Sequence, residues 1–255
     1  MKKFIAAIFI LILTLTACSP ASTPTILPAS VTSTFAPLTA LPSATLTSFP
    51  TATFTPIPPP PTNTSIPFVD SLKATVTADL LSCRYGPGSE YLYLIAFNKG
   101  ANINLIGRTD GNGWALVENE PQTCWINTNF VDIKGDPQTL KIVYPDGYKL
   151  PVSPYYSPTT VLSAVRDPND KNKVTVTWMD IRLTAGDQED ENMFIYIIEI
   201  WRCEGGQMIF DPLASNYPVM TFVDEAGCSA PSHGRVFFQE KHGYAGPAEI
   251  PWPER

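Results

Sequence analysis

Hydrophobic and polar positions alternate in Lys173-Val-Thr-Val-Thr-Trp178, so Val174, Val176 and Trp178 share one face. That period of two predicts a strand with one side buried. Met193 to Cys203 (MFIYIIEIWRC) is a longer β-rich run, and Thr221–Val223 and Arg235–Phe238 add two more. Turn signals separate them at Asp167-Pro-Asn, Glu204-Gly-Gly206, Glu225-Ala-Gly227 and Lys241-His-Gly243. Upstream, a second series runs through Ala74–Thr77, Leu80–Arg84, Tyr91–Phe97, Ile103-x-Leu105-x-Gly107, Trp114–Val117 and Cys124–Ile126. Asp110-Gly-Asn-Gly113 falls between two of these runs as a hairpin signal. Short strands at this spacing, with no amphipathic helix, predict an all-β chain: a small barrel over residues 68–136 and a β-sandwich over 137–255.

The first 67 residues carry neither period. Met1-Lys-Lys is basic, and Phe4–Ala17 is an uncharged, largely apolar run. A spanning helix needs about 20 residues, so this run suits a secretory signal over residues 1–17. Leu15-Thr-Ala-Cys18 then resembles the bacterial lipobox. The resemblance implies diacylglycerol on Cys18 and a chain exported but held at the membrane, since two acyl chains suffice for stable anchoring. From Ser19 to Pro67 there are 12 Pro, 12 Thr and 7 Ser in 49 residues, and no charge. Proline removes donors and fixes φ, so residues 18–67 are expected to form a disordered Thr/Pro/Ser-rich stalk, extended and partly polyproline II.

Composition narrows the chemistry. Formal net charge is −7, which argues against nucleic acid, because phosphate neutralisation needs a basic face. Five cysteines are an odd number. With Cys18 lipidated, four remain, in pairs: Cys83 and Cys124 in the first folded region, Cys203 and Cys228 in the second. Export permits disulfides, and a Cys203–Cys228 pair would close about 25 residues. His233 and His242 are spaced unlike a zinc motif, and Asp187-Gln-Glu-Asp-Glu191 lacks calcium-loop alternation, so no metal or other cofactor is expected. No GxSxG, P-loop or GxGxxG motif occurs.

Leu81-Ser-Cys-Arg84-Tyr85-Gly86-Pro87-Gly88, then Lys99-Gly100, Gly113-Trp114, Cys124-Trp125-Ile126 and Phe130-Val131, resemble the bacterial SH3 family. Cysteine stands at 83 and 124 where that family has valine and glycine; in barrel strands lying close, the two imply a disulfide. Many bacterial SH3 domains attach exported proteins to cell-wall peptides. The resemblance therefore implies a binding groove near Arg84, Tyr85, Tyr91, Tyr93 and Trp114. Arg84 has a second reading, as a pin for the Gly-Pro-Gly turn, and Trp114 another, as barrel core. In the second region, VTVTW followed by YIIEIW is similar to the B and C strands of a fibronectin type III or immunoglobulin-like domain.

The expectation is thus a non-enzymatic envelope lipoprotein whose barrel binds a cell-wall peptide or an extracellular protein. The alternatives are a structural surface-displayed protein and a cell-wall hydrolase.

Overall fold

A computed structural model describes residues 67–255. The expected signal segment, Cys18 as the expected lipid acceptor, and the expected stalk lie outside the described residues, apart from the last stalk residue, Pro67. The described chain is all-β, with a small barrel-like sheet followed by a β-sandwich. Among the described residues, no helix is long and apolar enough to cross a membrane.

The first sheet contains β1 (Leu72–Val76), β2 (Leu80–Arg84), β3 (Tyr93–Asn98), β4 (Asn102–Arg108), β5 (Trp114–Val117), β6 (Cys124–Asn127) and β7 (Val131–Ile133). Its seven strands run in the order β3-β2-β6-β5-β4-β1-β7, all antiparallel. The inward positions are those the alternation marks: Ala74 and Val76, Leu81 and Cys83, Ile103 and Leu105, Ala115 and Val117, Cys124 and Ile126. Leu140, from beyond the last strand, is fully buried in the same core. Cys83 and Cys124 are bonded to each other inside this core, 41 residues apart in sequence.

Residues 137–160 form a connector without long strands. Its path is set by backbone bonds to the barrel. Arg108 N–H donates to Lys141 O at 3.0 Å and Val143 N–H to Arg108 O at 2.8 Å.

The sandwich begins at β8 (Val161–Arg166), followed by β9 (Lys173–Trp178), β10 (Tyr196–Glu204), β11 (Gln207–Ser215), β12 (Val219–Val223), β13 (His233–Glu240) and β14 (Gly243–Glu249). A three-stranded sheet, β12-β9-β8, faces a four-stranded one, β11-β10-β13-β14. VTVTW and YIIEIW therefore lie in opposite sheets. Val174, Val176 and Trp178 of one meet Tyr196, Ile198, Ile200, Val236 and Phe238 of the other. Cys203 is bonded to Cys228, the second of the expected pairs.

Asp224 ties the far end of the sandwich together. Its buried carboxylate accepts from Arg166 Nη2 (2.6 Å), Ser232 Oγ (2.6 Å), Cys203 N (3.0 Å) and Trp252 Nε1 (3.3 Å). Burial alone would raise its pKa, but these donors outweigh the desolvation and hold the carboxyl below its usual value.

The four-stranded sheet is covered on both faces. Ile197, Glu199 and Trp201 point away from the sandwich core, yet all are buried. Tyr91 and Leu92 of the barrel and Leu150 of the connector pack against Ile197, Phe237 and Tyr244 of this outer face. Barrel and sandwich are thus joined by a continuous apolar layer.

Two stability effects follow. Replacing Cys83 and Cys124 together by Ala lowers the unfolding free energy by about 2–4 kcal/mol, because the unfolded chain regains the entropy of the open loop; guanidinium denaturation reads the shift. A carboxylate whose folded pKa is depressed contributes stability above the unfolded pKa, near pH 4, and loses it as pH falls through the folded value. Asp224→Asn therefore costs about 3–5 kcal/mol at neutral pH, and the gap to wild type narrows below about pH 4 in a denaturation series.

Candidate functional site

The segment that resembles the bacterial SH3 signature, Arg84 to Tyr93, leaves β2 and returns into β3 as a tight loop. Arg84 closes it, donating from Nη1 to Tyr91 O, with Tyr85 N–H to Leu92 O at 3.1 Å beside it. This bond fits one of its two sequence readings, a pin for the turn. Gly86 is required by close approach, since a Cβ there would stand 2.2 Å from the Tyr91 ring.

Tyr91 departs from the expected groove position. It is 1% exposed, and its hydroxyl donates to Glu199 Oε1 at 2.7 Å. An aromatic between turn residues reads as surface when nothing in the pattern indicates a second module above it. Glu199 is itself fully buried, and its other oxygen accepts from Arg235 Nε at 2.6 Å. Arg235 Nη2 also donates to Pro145 O of the connector at 2.8 Å. Full burial pushes the Glu199 carboxyl up, while Arg235 and the Tyr91 hydroxyl act against that shift. Leu92 N–H donates to Tyr244 Oη at 2.9 Å, and Gln239 Nε2 to Glu90 O at 3.0 Å. Burial raises both the Tyr91 and Tyr244 phenols well above their ordinary value, so they remain protonated.

Beside this junction lies a cleft of about 520 Å³ between the barrel and the connector. Tyr85 lines it from the end of β2 and Trp125 from β6, and Tyr144 stands on the connector side. Pro121, Pro145 and Pro151 complete an apolar wall, and Asp146 and Lys149 supply one charge of each sign. Tyr144 is positioned by rings of the sandwich, Phe210 at 5.5 Å and Trp201 at 5.6 Å between centroids. The Asp146 side chain accepts from Tyr148 N at 3.1 Å, and its backbone carbonyl from Lys149 N at 2.9 Å, which shapes the turn at the rim. Burial raises the Tyr85 and Tyr144 phenols, reinforced by Glu189 and Asp110 respectively, so both act as neutral hydroxyls. Flat aromatic area, prolines and a few polar groups of both signs suit a ligand with apolar stretches and opposite charges.

The remaining expected residues do not meet here. Trp114 lines a separate cleft of about 370 Å³ with Arg108, Asp110 and Asn112. Tyr93 lies on the edge strand β3, half exposed, with its N–H bonded to the Glu189 carboxylate at 3.2 Å. Trp125 is buried, but on the face of β6 opposite Cys124 and Ile126, outside the barrel core and in the cleft wall. Tyr144, Asp146 and Lys149 were not singled out in the sequence. Their signal was a run, Tyr144-Pro-Asp-Gly-Tyr148, with aromatics but no strand period. Among the described residues, no group of three or more His, Cys, Asp or Glu is placed to hold a metal.

No protein-family model matches the chain, and a search of curated proteins found no match. What defines the protein is its architecture: an all-β, disulfide-braced pair of modules joined through a buried layer, with an aromatic cleft at the seam.

Tyr91→Phe leaves Glu199 one donor short in a buried site and lowers stability by about 1–3 kcal/mol. Urea denaturation of the variant beside wild type measures it.

Proposed function

We propose that the protein is a non-enzymatic envelope lipoprotein, anchored through lipid on Cys18, whose cleft at the barrel rim binds a cell-wall peptide or an extracellular protein. The observation that carries this reading is the cleft lined by Tyr85, Trp125 and Tyr144, with the Asp146–Lys149 ion pair (3.5 Å) at its rim. A wall peptide offers the matching chemistry, with small apolar side chains and both amine and carboxylate groups. The Arg84-x-Gly-Pro-Gly88 and Gly113-Trp114 motifs support it through their resemblance to bacterial SH3 domains. The sheet orders β12-β9-β8 and β11-β10-β13-β14 support the fibronectin type III or immunoglobulin-like resemblance of the second module. Two disulfides fit an oxidising, extracytoplasmic compartment.

A second reading, a purely structural surface protein, is favoured by one feature: the Gly86–Leu92 loop is spent on the junction between modules.

Co-sedimentation of the oxidised full chain with purified wall sacculi separates the two. Saturable binding is expected, weakened roughly tenfold by Tyr85→Ala and by Lys149→Glu. Lys149 is well exposed, so its variant keeps the fold if a Tyr85 substitution does not. A folded wild-type chain that fails to sediment would rule out the wall peptide and leave an extracellular protein ligand or the structural reading.

A further inference from the structure

A second cleft, of about 480 Å³, opens on the sandwich where the connector crosses the β13–β14 hairpin. Its lining is Tyr155, Tyr156, Thr184, Asp187, Lys241 and His242, none of which belongs to the cleft at the barrel rim. The acidic run from Asp187 contributes its first residue here.

The walls are held by a chain of contacts. Tyr156 Oη donates to Asp187 Oδ2 at 2.7 Å and accepts from Thr184 N at 3.0 Å. Lys241 N–H donates to Asp187 O at 2.8 Å, and its ammonium to Gly186 O. Gly243, at the hairpin's end, lets the connector pass, since a Cβ there would stand 2.3 Å from Pro151 O. These bonds fix the polar groups before any ligand arrives.

The His242 ring is oriented by Glu240. It is 43% exposed, whereas Glu240, which holds it, is fully buried. Glu240 Oε2 accepts from both His242 N (2.9 Å) and His242 Nδ1 (2.8 Å), and Oε1 has no partner. A carboxylate can only accept, so Nδ1 is the donor and Nε2 is left as an acceptor in the uncharged ring. Tyr155, 66% exposed, stands edge-on to that ring at 5.2 Å.

The charges decide among ligands. An organic cation would be drawn to Tyr155 and Asp187 but would meet the Lys241 ammonium on the same wall. An anion would meet Asp187, with Glu240 behind His242. A neutral ligand bearing many hydroxyls has neither penalty. One face of a sugar ring presents C–H groups, partly positive, which pack on the negative face of a tyrosine. Its hydroxyls can donate to Asp187 Oδ1 and His242 Nε2 and exchange bonds with the Thr184 hydroxyl.

We propose that the Tyr155–His242 cleft is a saccharide-binding site on the sandwich, distinct from the cleft at the barrel rim.

The chain has two histidines, so the His242 imidazole protons can be followed by NMR in the oxidised full chain. The probes are chitotetraose and cellotetraose, with tetra-alanine as a neutral peptide control. At least one sugar is expected to shift the His242 signals saturably, with a dissociation constant of about 0.1–1 mM. Tyr155→Ala and Asp187→Asn should each weaken that binding roughly tenfold. Tyr155 is open to solvent and Asp187 partly so, and near-UV circular dichroism verifies the fold of each variant. Lys149→Glu should leave the sugar binding unchanged, which separates this site from the peptide cleft. No saturable shift with either sugar, equal binding of tetra-alanine, or affinity untouched by both variants would overturn the assignment.

Discussion

A carboxylate on the outer face of a sheet, shut off from water, determines how the two modules sit. Glu199 occupies the middle of β10, on the face turned away from the sandwich core. Its burial has to be matched by donors, and these come from separate parts of the chain: Arg235 from β13 and Tyr91 from the barrel loop. Arg235 in turn reaches Pro145 of the connector. Leaving any of these groups unpaired in a low-dielectric layer is expensive, so the barrel loop and the connector have one favourable position over the sheet. The walls of the rim cleft follow from that position, because Tyr85 opens the loop and Tyr144 and Pro145 belong to the connector.

Much of each module was legible in the chain, and the layer between them was not. Val174, Val176 and Trp178 alternate with threonines that face outward, and the period of two stays visible because only one face is covered. In Tyr196–Trp201 the alternation is masked, because residues of both faces are buried; continuous apolar runs are what strands covered on both sides look like. The cysteine pairs could be anticipated because each falls within one module. Hydrophobic pattern marks which face is apolar and says nothing of what covers it. For that reason Tyr91 read as a groove residue, and the glycine before Pro87 as a turn requirement rather than the seat of a buried ring. The connector offered the least signal, since irregular chain carries no period, yet it contributes to both clefts.

The two clefts share a mode of construction. Each has strand, hairpin-turn or loop groups on one side and connector residues on the other, and in each some polar groups are bonded to backbone before a ligand arrives. Side chains placed this way lose little further freedom on binding, which is what permits shallow, open sites to be selective.

The long reach of the junction has a consequence in time. Tyr91 and Glu199 are 108 residues apart, and Leu92 and Tyr244 are 152 apart. The barrel's own pairings are much more local, so it can close as soon as its last strand is available. The junction must wait for β14, the final strand. Until then the barrel carries an exposed Tyr91-Leu92 knob, and the emerging sheet an uncovered Ile197 and Phe237. A nascent chain thus spends an interval with two complementary apolar surfaces unpaired, and meeting each other within one chain competes with meeting those of a neighbour.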